Sequence, residues 1–443
     1  SKNPAKQVKR KIKMGGRAIL FLVIGFSTIF LIMEKNIETA STRAVDNMAS
    51  YYTNMNVHNI AVGGANVGAN QIFLDPTWTA GYNNVSYSGG SYTVSVDIIN
   101  AFTNTRRLTS IGHYEGYSDT VQVTLQPSSF SKFAYYSVSE GNNPTYWITG
   151  DTVWGPLHTQ DKLTISGDPV LNGKVTTKSH FVTKGYSNPQ FNGGYQTGVD
   201  MPLPPGGTAS LKGMADNGGV DFSGHDTVYV TFAGDSIKYK YSYSSPYTSA
   251  LASALAPNGA IFASGAVLRL QGTVTGKYSI GASQETKTVT TTTTNKKGKT
   301  TTTTTTTTIG GDVYLDGNIV YNTNPRTDPS STDLLGIVAQ NNVLITDNSA
   351  NRSNINIQAA VYAETGGFGA ENYDSRPISG TINLYGGIQQ KGRLPVGTFH
   401  TNGSKLYLDS GFLKDYRYDN RFMIASPPGY PNTGKFEIVS WYE

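Results

Sequence analysis

The strongest constraint on this chain is the uncharged run AILFLVIGFSTIFLIM at residues 18–33, in which eleven of sixteen residues are Ile, Leu, Val or Phe. On a scale for insertion into a bilayer, those eleven side chains contribute roughly −3 to −7 kcal/mol. At ~1.5 Å per residue, a helix over this run is about 24 Å long, slightly shorter than a hydrocarbon core. The run therefore predicts one helix that is stable in lipid.

A basic segment precedes the run and orients it. Residues 1–17 contain seven Lys or Arg and no acidic residue. Positive flanks stay in the cytoplasm, so the residues after Met33 are predicted to lie outside, at the cell surface. Without those seven charges the net charge falls from +5 to about −2 (5 − 7), which predicts no nucleic-acid partner.

The helical pattern continues beyond the apolar run. Ile37, Ala44, Met48, Tyr51 and Met55 recur at steps of three, four and seven residues, which places them on one helical face. We therefore predict a continuous helix to about residue 55. The segment 18–58 is expected to be transmembrane first and amphipathic afterwards, and the amphipathic half is expected to pack against copies of itself.

The residues around the start of this helix resemble a known family. Gly15, Gly16 and the following RAIL, between a basic leader and an apolar helix, resemble the N-terminus of type IV pilin-like proteins. The likeness is greatest to the PilX-type minor-pilin N-terminal region. It implies that a prepilin peptidase cuts after Gly15 or Gly16 and removes the leader. Major pilins carry Glu five residues after the cut, where this chain has Leu20 or Phe21.

The resemblance also implies a mode of assembly. The chain would sit in the inner membrane with its N-terminus in the cytoplasm, and its helices would then bundle into a helical homopolymer that can include minor pilins. The residues assigned to the filament-core helix are Ala18, Leu20, Val23, Ile24, Phe26, Phe30, Ile37, Ala44 and Met48.

A conventional secretory signal is the alternative interpretation of the first forty residues. Its best cleavage point follows Ala40. That point places the charged Glu38 where a signal peptidase requires a small residue. We therefore favour the pilin-like interpretation.

The composition of the remaining chain predicts a mostly β body. It contains many Gly, Thr and Tyr, and the whole chain has 49 Gly, 28 Tyr and no Cys. Such usage is typical of short strands and tight turns, and the absence of Cys excludes disulfides and thiolate metal sites. The predicted class is α+β, mostly β. Residues 59–145 are predicted to form a β-meander, since residues 92–98 alternate as a strand after the turn at Gly89 and Gly90.

The pattern changes over residues 146–443. Apolar runs of three to five residues alternate there with Gly or Asp at intervals of six to ten residues. Short strands without intervening helices predict a parallel β-solenoid, in which each coil buries its apolar side chains against its neighbours. A β-sandwich remains the alternative.

A threonine-rich segment at residues 286–308 interrupts this body. Two Thr runs flank the turn-forming residues 295–299, and Thr fits β-strands well because it is β-branched. We predict a projecting hairpin arm that binds a neighbouring subunit, whereas an O-glycosylated stalk or a disordered linker are the alternatives. The residues chosen to represent this intersubunit arm are Thr290, Thr293, Asn295, Gly298 and Thr302.

Catalytic and metal-binding patterns are weak in this sequence. The six His are far apart, and neither HExxH, GxSxG nor a P-loop occurs. A polysaccharide-active β-helix enzyme would need paired carboxylates, whereas acids at turns are common for local reasons. The candidate turn acids are Asp312, Asp316, Asp328 and Asp333.

The sequence therefore predicts no enzyme, no catalytic residue and no cofactor. Asp347 and Asn348 could bind Ca²⁺ weakly through oxygen ligands, but a capped turn is favoured. The predicted function is a structural pilin-like subunit of an extracellular surface filament. A single-pass surface adhesin that does not polymerise is the alternative, and a glycan-active enzyme is third.

Overall fold

The computed structural model describes residues 15–100, 103–141, 145–203, 206–294, 300–402 and 405–443. The helices are α1 (Gly16–Leu74), α2 (Gly207–Asp216) and α3 (Ala252–Leu255), with one-turn 3-10 helices at Phe130–Lys132, Ser349–Asn351 and Asn420–Met423. Most of the remaining described chain is strand, so the predicted class of α+β, mostly β, is confirmed.

The strands follow in chain order. They are β1 (Tyr82–Tyr87), β2 (Gly90–Asn100), β3 (Thr105–Tyr114), β4 (Tyr117–Ser129), β5 (Tyr135–Ser139), β6 (Trp147–Ile148), β7 (Thr152–Trp154), β8 (Leu157–Thr159), β9 (Thr164–Ser166), β10 (Val170–Leu171), β11 (Val175–Thr177), β12 (Val182–Lys184), β13 (Gln190–Phe191), β14 (Tyr195–Thr197), β15 (Val220–Asp221), β16 (Thr227–Gly234), β17 (Ser236–Lys240), β18 (Thr248–Leu251), β19 (Ala260–Ser264), β20 (Val267–Val274), β21 (Lys277–Thr294), β22 (Thr300–Gly310), β23 (Val313–Tyr321), β24 (Leu334–Ala339), β25 (Val343–Ile345), β26 (Ile355–Ala363), β27 (Phe368–Ala370), β28 (Ile378–Gly392), β29 (Gly397–Asn402), β30 (Lys405–Tyr418) and β31 (Asn432–Tyr442).

The chain divides into two compact units. The first contains α1 and residues up to 97, residues 107–125 and residues 438–443. The second contains residues 98–106 and 126–437. A five-stranded sheet has the order β1-β2-β3-β4-β31, and the remaining strands belong mainly to one large sheet that includes many parallel pairs.

The first helix is longer than the sequence pattern predicts. It ends at Leu74 rather than near residue 55 or 58, and the first strand begins at Tyr82, so the predicted helix boundary and the start of the meander at residue 59 were wrong. The Gly- and Asn-rich residues 60–74 are helical. The reason is that their small side chains permit close packing of the helix on strands of the same unit.

Glycines on α1 and on the sheet make this close approach possible. A Cβ at Gly64 would lie 2.5 Å from Ser110 Oγ, and one at Gly68 would lie 2.7 Å from Leu108 Cδ1. A Cβ at Gly112 would lie 2.5 Å from the Val57 carbonyl oxygen. Glycine in a helix costs about 1 kcal/mol relative to alanine, and the packing offsets that cost. The buried residues of α1 are Val57, Ile60, Ala61, Gly64, Ala65, Gly68, Ala69 and Ile72.

The second unit is built largely from parallel, in-register strands. Val170 pairs with Thr152 on one side and with Gln190 on the other, so partner positions are 18 and 20 residues apart. Leu157, Val175 and Tyr195 follow the same pattern. These parallel ladders are the pairing that the predicted solenoid requires. Antiparallel pairs depart from it at β16–β17–β18, β21–β22 and β29–β30.

One apolar row crosses ten strands of this unit, and its order does not follow the chain. β28 pairs with β26 and also with β5, so the strands beginning at residue 135 stack beyond strands that come later in the sequence. In spatial order, the in-register residues are Val220, Ile261, Ile280, Ile337, Val361, Ile388, Tyr135, Leu157, Val175 and Tyr195.

Two buried ion pairs join the segments that are remote in sequence. Arg393 Nη1 lies 2.7 Å from Glu140 Oε2, and Lys414 Nζ lies 2.6 Å from Asp151 Oδ2. The Arg393 guanidinium is also 4.2 Å from the centre of the Trp147 ring. Desolvation lowers the pKa of Lys414 in spite of its partner. Burying one member of such a pair without the other is strongly unfavourable.

A buried histidine lies in the same region. His158 on β8 is fully buried, its Nδ1 lies 2.8 Å from Thr176 Oγ1, and its ring stacks on Tyr136 with centroids 5.5 Å apart. Burial lowers the pKa of the His158 imidazole to about 4, although Gln160 and Asp200 oppose this effect. The imidazole is therefore neutral in the folded chain at pH 7.

The close packing of α1 predicts the effect of Gly64→Leu. The larger side chain has no space beside Ser110 and Tyr92, so we expect destabilisation of the first unit by about 1–3 kcal/mol. Thermal unfolding and hydrogen exchange of the full chain in detergent would measure this change. The exposed Asn70→Leu is the matched control. Helix propensity alone favours Leu over Gly, so a stabilised Gly64→Leu variant would contradict the packing argument.

The buried imidazole predicts a loss of stability in mild acid. The unfolded chain binds a proton at His158 below pH ~6.5, whereas the folded chain does so only near its lowered pKa, so stability falls as pH falls through this window. Between pH 7.5 and pH 5 the expected loss is about 2 kcal/mol. Denaturant unfolding of the parent and of His158→Gln would test this. If the free energy of unfolding had the same pH dependence in both proteins, the loss of stability in acid could not be assigned to His158.

Candidate functional site

The surface singled out by the sequence is the first part of α1. Every residue from Gly15 to Tyr52 is exposed, and the first buried residue of the helix is Val57. The predicted filament-core residues therefore all lie on one exposed helix. They are Ala18, Leu20, Val23, Ile24, Phe26, Phe30, Ile37, Ala44 and Met48.

Large apolar side chains dominate this exposed segment. Phe21 is 72% exposed, Phe30 is 67% exposed and Met48 is 76% exposed. An 18-residue window within α1 has a mean hydropathy of 2.2 and no buried residue, so by length and composition the helix can cross a membrane. Contiguous apolar surface of this extent marks a membrane or protein contact.

The threonine hydroxyl groups of the segment are satisfied within the helix. Thr28 Oγ1 donates to the Ile24 carbonyl oxygen at 2.8 Å, and Thr39 donates to that of Lys35 at 2.8 Å. Such bonds allow threonine in an apolar environment without an unpaired donor. The helix can therefore be covered by lipid or by other helices at Thr28 without the loss of a hydrogen bond to water.

The character of the helix changes at residue 34. Glu34 is the first charged residue after Arg17, and Lys35 Nζ lies 2.9 Å from Glu38 Oε2 on the exposed surface. An ion pair in this position contributes little to stability. Apolar side chains nevertheless continue beyond it, with Val45 64% exposed and Tyr51 66% exposed. The second part of the exposed segment is thus amphipathic.

The predicted cleavage point lies at the beginning of the described chain. Gly15 is the N-cap of α1 and Gly16 is its first residue. A Cβ at either position would meet nothing within 4 Å, so neither residue is held by packing. Residues 1–14 of the leader lie outside the described residues, and cleavage after Gly15 or Gly16 remains a prediction.

The threonine-rich segment forms the predicted hairpin. β21 and β22 pair antiparallel from Gln284↔Gly310 to Thr294↔Thr300, whereas the pairing of β21 with β19 ends at Ser283. Thr290 and Thr293 lie on β21 and Thr302 lies on β22, while Asn295 and Gly298 fall outside the described residues. The intersubunit role of the arm remains a prediction.

Contacts along the arm are polar and few. Thr288 and Thr306 place their Oγ1 atoms 3.5 Å apart, and Lys287 Nζ lies 2.9 Å from Asp226 Oδ1 near the base of the hairpin. All side chains described between Thr286 and Thr308 are exposed, so neither face of the arm has a core. Its outer edges present backbone groups that can pair with another strand.

All four candidate acids accept hydrogen bonds, but only those accepted by Asp328 are local in sequence. Asp316 lies within β23 rather than at a turn. Asp312 accepts from Asn341 and Asn342, Asp316 from Arg269 and Thr346, Asp328 from Ser330, and Asp333 from the backbone N–H groups of Gly276 and Thr323. Among the described residues, no group of three or more His, Asp or Glu could hold a metal ion. The absence of an enzymatic activity remains a prediction.

The turn considered for Ca²⁺ has a structural role. The Asn348 side chain accepts from the Asn351 backbone N–H at 3.0 Å and caps a 3-10 helix, which confirms the capped-turn interpretation at this residue. The Asp347 backbone N–H donates to Glu371 Oε2 at 2.9 Å. Binding of Ca²⁺ to this turn stays an untested prediction.

Sequence reasoning missed the last part of α1, from Val57 onwards, which packs on strands of its own unit. A signal for it was present, because Ala61, Ala65, Ala69 and Ile72 recur at helical spacing through the glycine-rich stretch. The glycines hid this pattern, since they are usually taken as helix breakers. The packed segment matters for function because it anchors the exposed residues 16–52 of the same helix to the sheet.

Comparison with protein-family models finds no match, and comparison with curated proteins finds none either. Among solved structures, the chain resembles the crystal structure of the competence-associated pilin ComZ from Thermus thermophilus, at 13% sequence identity and a TM-score of 0.35. The alignment covers 88% of this chain and 97% of that chain. A likeness this distant carries no argument, so the long apolar first helix is what fits a pilin-like protein.

Proposed function

We propose that this protein is a structural, pilin-like subunit of an extracellular surface filament. Its α1 helices would bundle in the filament core, and its β-rich units would lie outside. The proposal rests on a long segment of α1 whose side chains are not buried by any other described residue. Gly16 to Tyr52 is exposed throughout, and its apolar side chains extend well beyond the uncharged run.

The length of this segment supports a filament helix over a simple anchor. Thirty-seven exposed residues, from 16 to 52, make a helix about 55 Å long, whereas a hydrocarbon core is about 30 Å thick. Lipid covering residues 18–33 would leave Val45, Met48 and Tyr51 in water. Burying each such side chain contributes about 1.5–3 kcal/mol, so copies of the same helix are the natural cover.

The exposed part of α1 beyond residue 33 carries charges of both signs, which suit a bundle of such helices. Glu34, Lys35, Glu38, Arg43 and Asp46 alternate in sign along the exposed helix. Charges of both signs beside an apolar stripe form ion pairs between neighbouring helices and set their relative position. Before assembly, the same helix would hold the subunit in the inner membrane with its basic end in the cytoplasm.

The threonine arm supports a second contact between subunits. Its strands pair with each other, and beyond Ser283 the pairing with β19 has ended. A two-stranded hairpin is marginally stable alone in water. We infer that the arm adds a strand to a neighbouring copy in the filament, where backbone hydrogen bonds provide affinity.

The helix contact is tested most sharply outside the lipid span. Met48→Asp places a charge on the exposed face, and we expect it to abolish filaments while leaving a folded, membrane-tethered chain. Ile24→Asp should also abolish filaments, but it disturbs the lipid span as well. Electron microscopy of sheared surface material and membrane fractionation would measure both effects.

The matched control for this experiment is Met48→Leu, which keeps an apolar side chain of similar size. Wild-type filaments from Met48→Asp would contradict the proposal. Membrane-tethered single particles from the parent chain itself would instead support the adhesin alternative, in which the amphipathic half is only a stalk.

The arm is tested by replacing residues 286–308 with Asn-Gly, which joins Glu285 to Ile309 at paired positions of the hairpin. We expect the second unit to keep its unfolding temperature, because the described side chains among those removed are exposed. Filaments should dissociate at lower temperature or lower detergent concentration than the parent. The control replaces only Thr288 and Thr306 with Val, which keeps the strands. Unchanged filament stability after the deletion would refute the role of the arm.

A further inference from the structure

A polar groove lies on the second unit. Its volume is about 570 Å³, and it crosses the strands β23, β26, β28 and β30. Its lining includes Arg326, Asn356, Tyr385 and Arg417. The described residues of the groove include no lysine and few apolar side chains.

The groove arises from the register of the parallel strands. Asn356 pairs with Asn383, which pairs on its other side with Asp415. In the same way, Gln358 pairs with Tyr385, which pairs with Arg417. Alternate residues such as Ile357 and Leu384 point into the core and are buried. Two rows of polar side chains therefore cross neighbouring strands side by side.

An aromatic surface continues the second row. Arg417 pairs with Trp154 on β7, its guanidinium lies 5.3 Å from the centre of that ring, and Trp154 is 45% exposed. Tyr385 lies on the other side of Arg417 in the same register.

The amides in the groove provide both donors and acceptors. Asn383 Nδ2 donates to Asn356 Oδ1 at 3.1 Å, and Gln358 Oε1 accepts from the Tyr321 backbone N–H at 2.6 Å. These bonds hold the amides in fixed orientations and leave further lone pairs and N–H groups for a ligand. Amides in this arrangement suit the hydroxyl groups of sugars.

The charge of the groove is positive. Arg417 Nε lies 3.0 Å from Asp415 Oδ2, so these two charges balance. Arg326 is exposed and forms no ion pair within the described part of the chain. A guanidinium binds a carboxylate through two parallel hydrogen bonds, so the groove favours an anionic ligand.

We propose that this groove binds an acidic polysaccharide that contains uronate residues. The sugar faces stack on Tyr385, and Arg326 binds a uronate carboxylate. The assignment uses neither α1 nor the threonine arm, so its test does not depend on filament assembly. It adds a recognition site to a subunit whose proposed role is structural.

The test is calorimetric titration of the full chain in detergent with oligogalacturonate. Its methyl ester and a neutral cello-oligosaccharide serve as comparison ligands. We expect Arg326→Gln and Tyr385→Ala each to weaken binding of the acidic oligosaccharide by about tenfold or more. The methyl ester and the neutral sugar should bind the parent chain more weakly than oligogalacturonate.

Arg107→Gln is the matched control, because Arg107 is an exposed arginine in the first unit. It should leave binding unchanged, and unfolding temperatures would show that all variants remain folded. Absence of binding to both oligogalacturonate and oligoalginate would overturn the proposal. The proposal would also be overturned if Arg326→Gln and Tyr385→Ala weakened binding of the neutral sugar as much as binding of oligogalacturonate. It would be overturned too if the parent chain bound single-stranded DNA more tightly than oligogalacturonate and Arg326→Gln abolished that binding.

Discussion

The body of this protein depends on in-register stacking of parallel strands. A single strand cannot bury its apolar side chains by itself, so each strand depends on its parallel neighbours. Ile337, Val361 and Ile388 show the principle, since each is buried and each pairs with the next. In a chain without cysteine, these ladders and the contacts between their side chains are the main source of stability.

The order of the strands in the stack determines which buried charged side chains meet. Strands from residues 135–197 stack next to β28 and β30, and the buried pairs Arg393–Glu140 and Lys414–Asp151 lie where these segments meet. Because both members must be present to avoid an isolated buried charge, we infer that the pairs select this arrangement over others. The same stacking aligns Tyr385, Arg417 and Trp154 on the outer face.

The first helix serves two environments. Its second part uses Gly64 and Gly68 to pack closely on strands of its own unit, so that part is rigidly held. Its first part is apolar and exposed, and it is suited to lipid and to other helices. A single unbroken helix therefore connects the packed sheet to the proposed assembly surface.

Much of the proposed assembly surface could be predicted from sequence, because it depends on local properties. The uncharged residues 18–33, the helical spacing of Ile37 and Met48, and the β-branched threonines of the arm express their preferences without tertiary contacts. The class, α+β and mostly β, followed from composition in the same way.

Tertiary structure decided what depends on partners that are remote in sequence. The helix extends to Leu74 because strands distant in the chain accept its glycines at close range, whereas the local propensity of glycine disfavours a helix there. The pairing of β28 with β5 and the buried Arg393–Glu140 pair arise only when segments more than two hundred residues apart stack in register. The polar groove likewise needs four strands, from β23 to β30, to lie side by side. Sequence determined the apolar helix, the arm and the strand-rich character of the body, whereas packing determined where α1 ends and which segments meet.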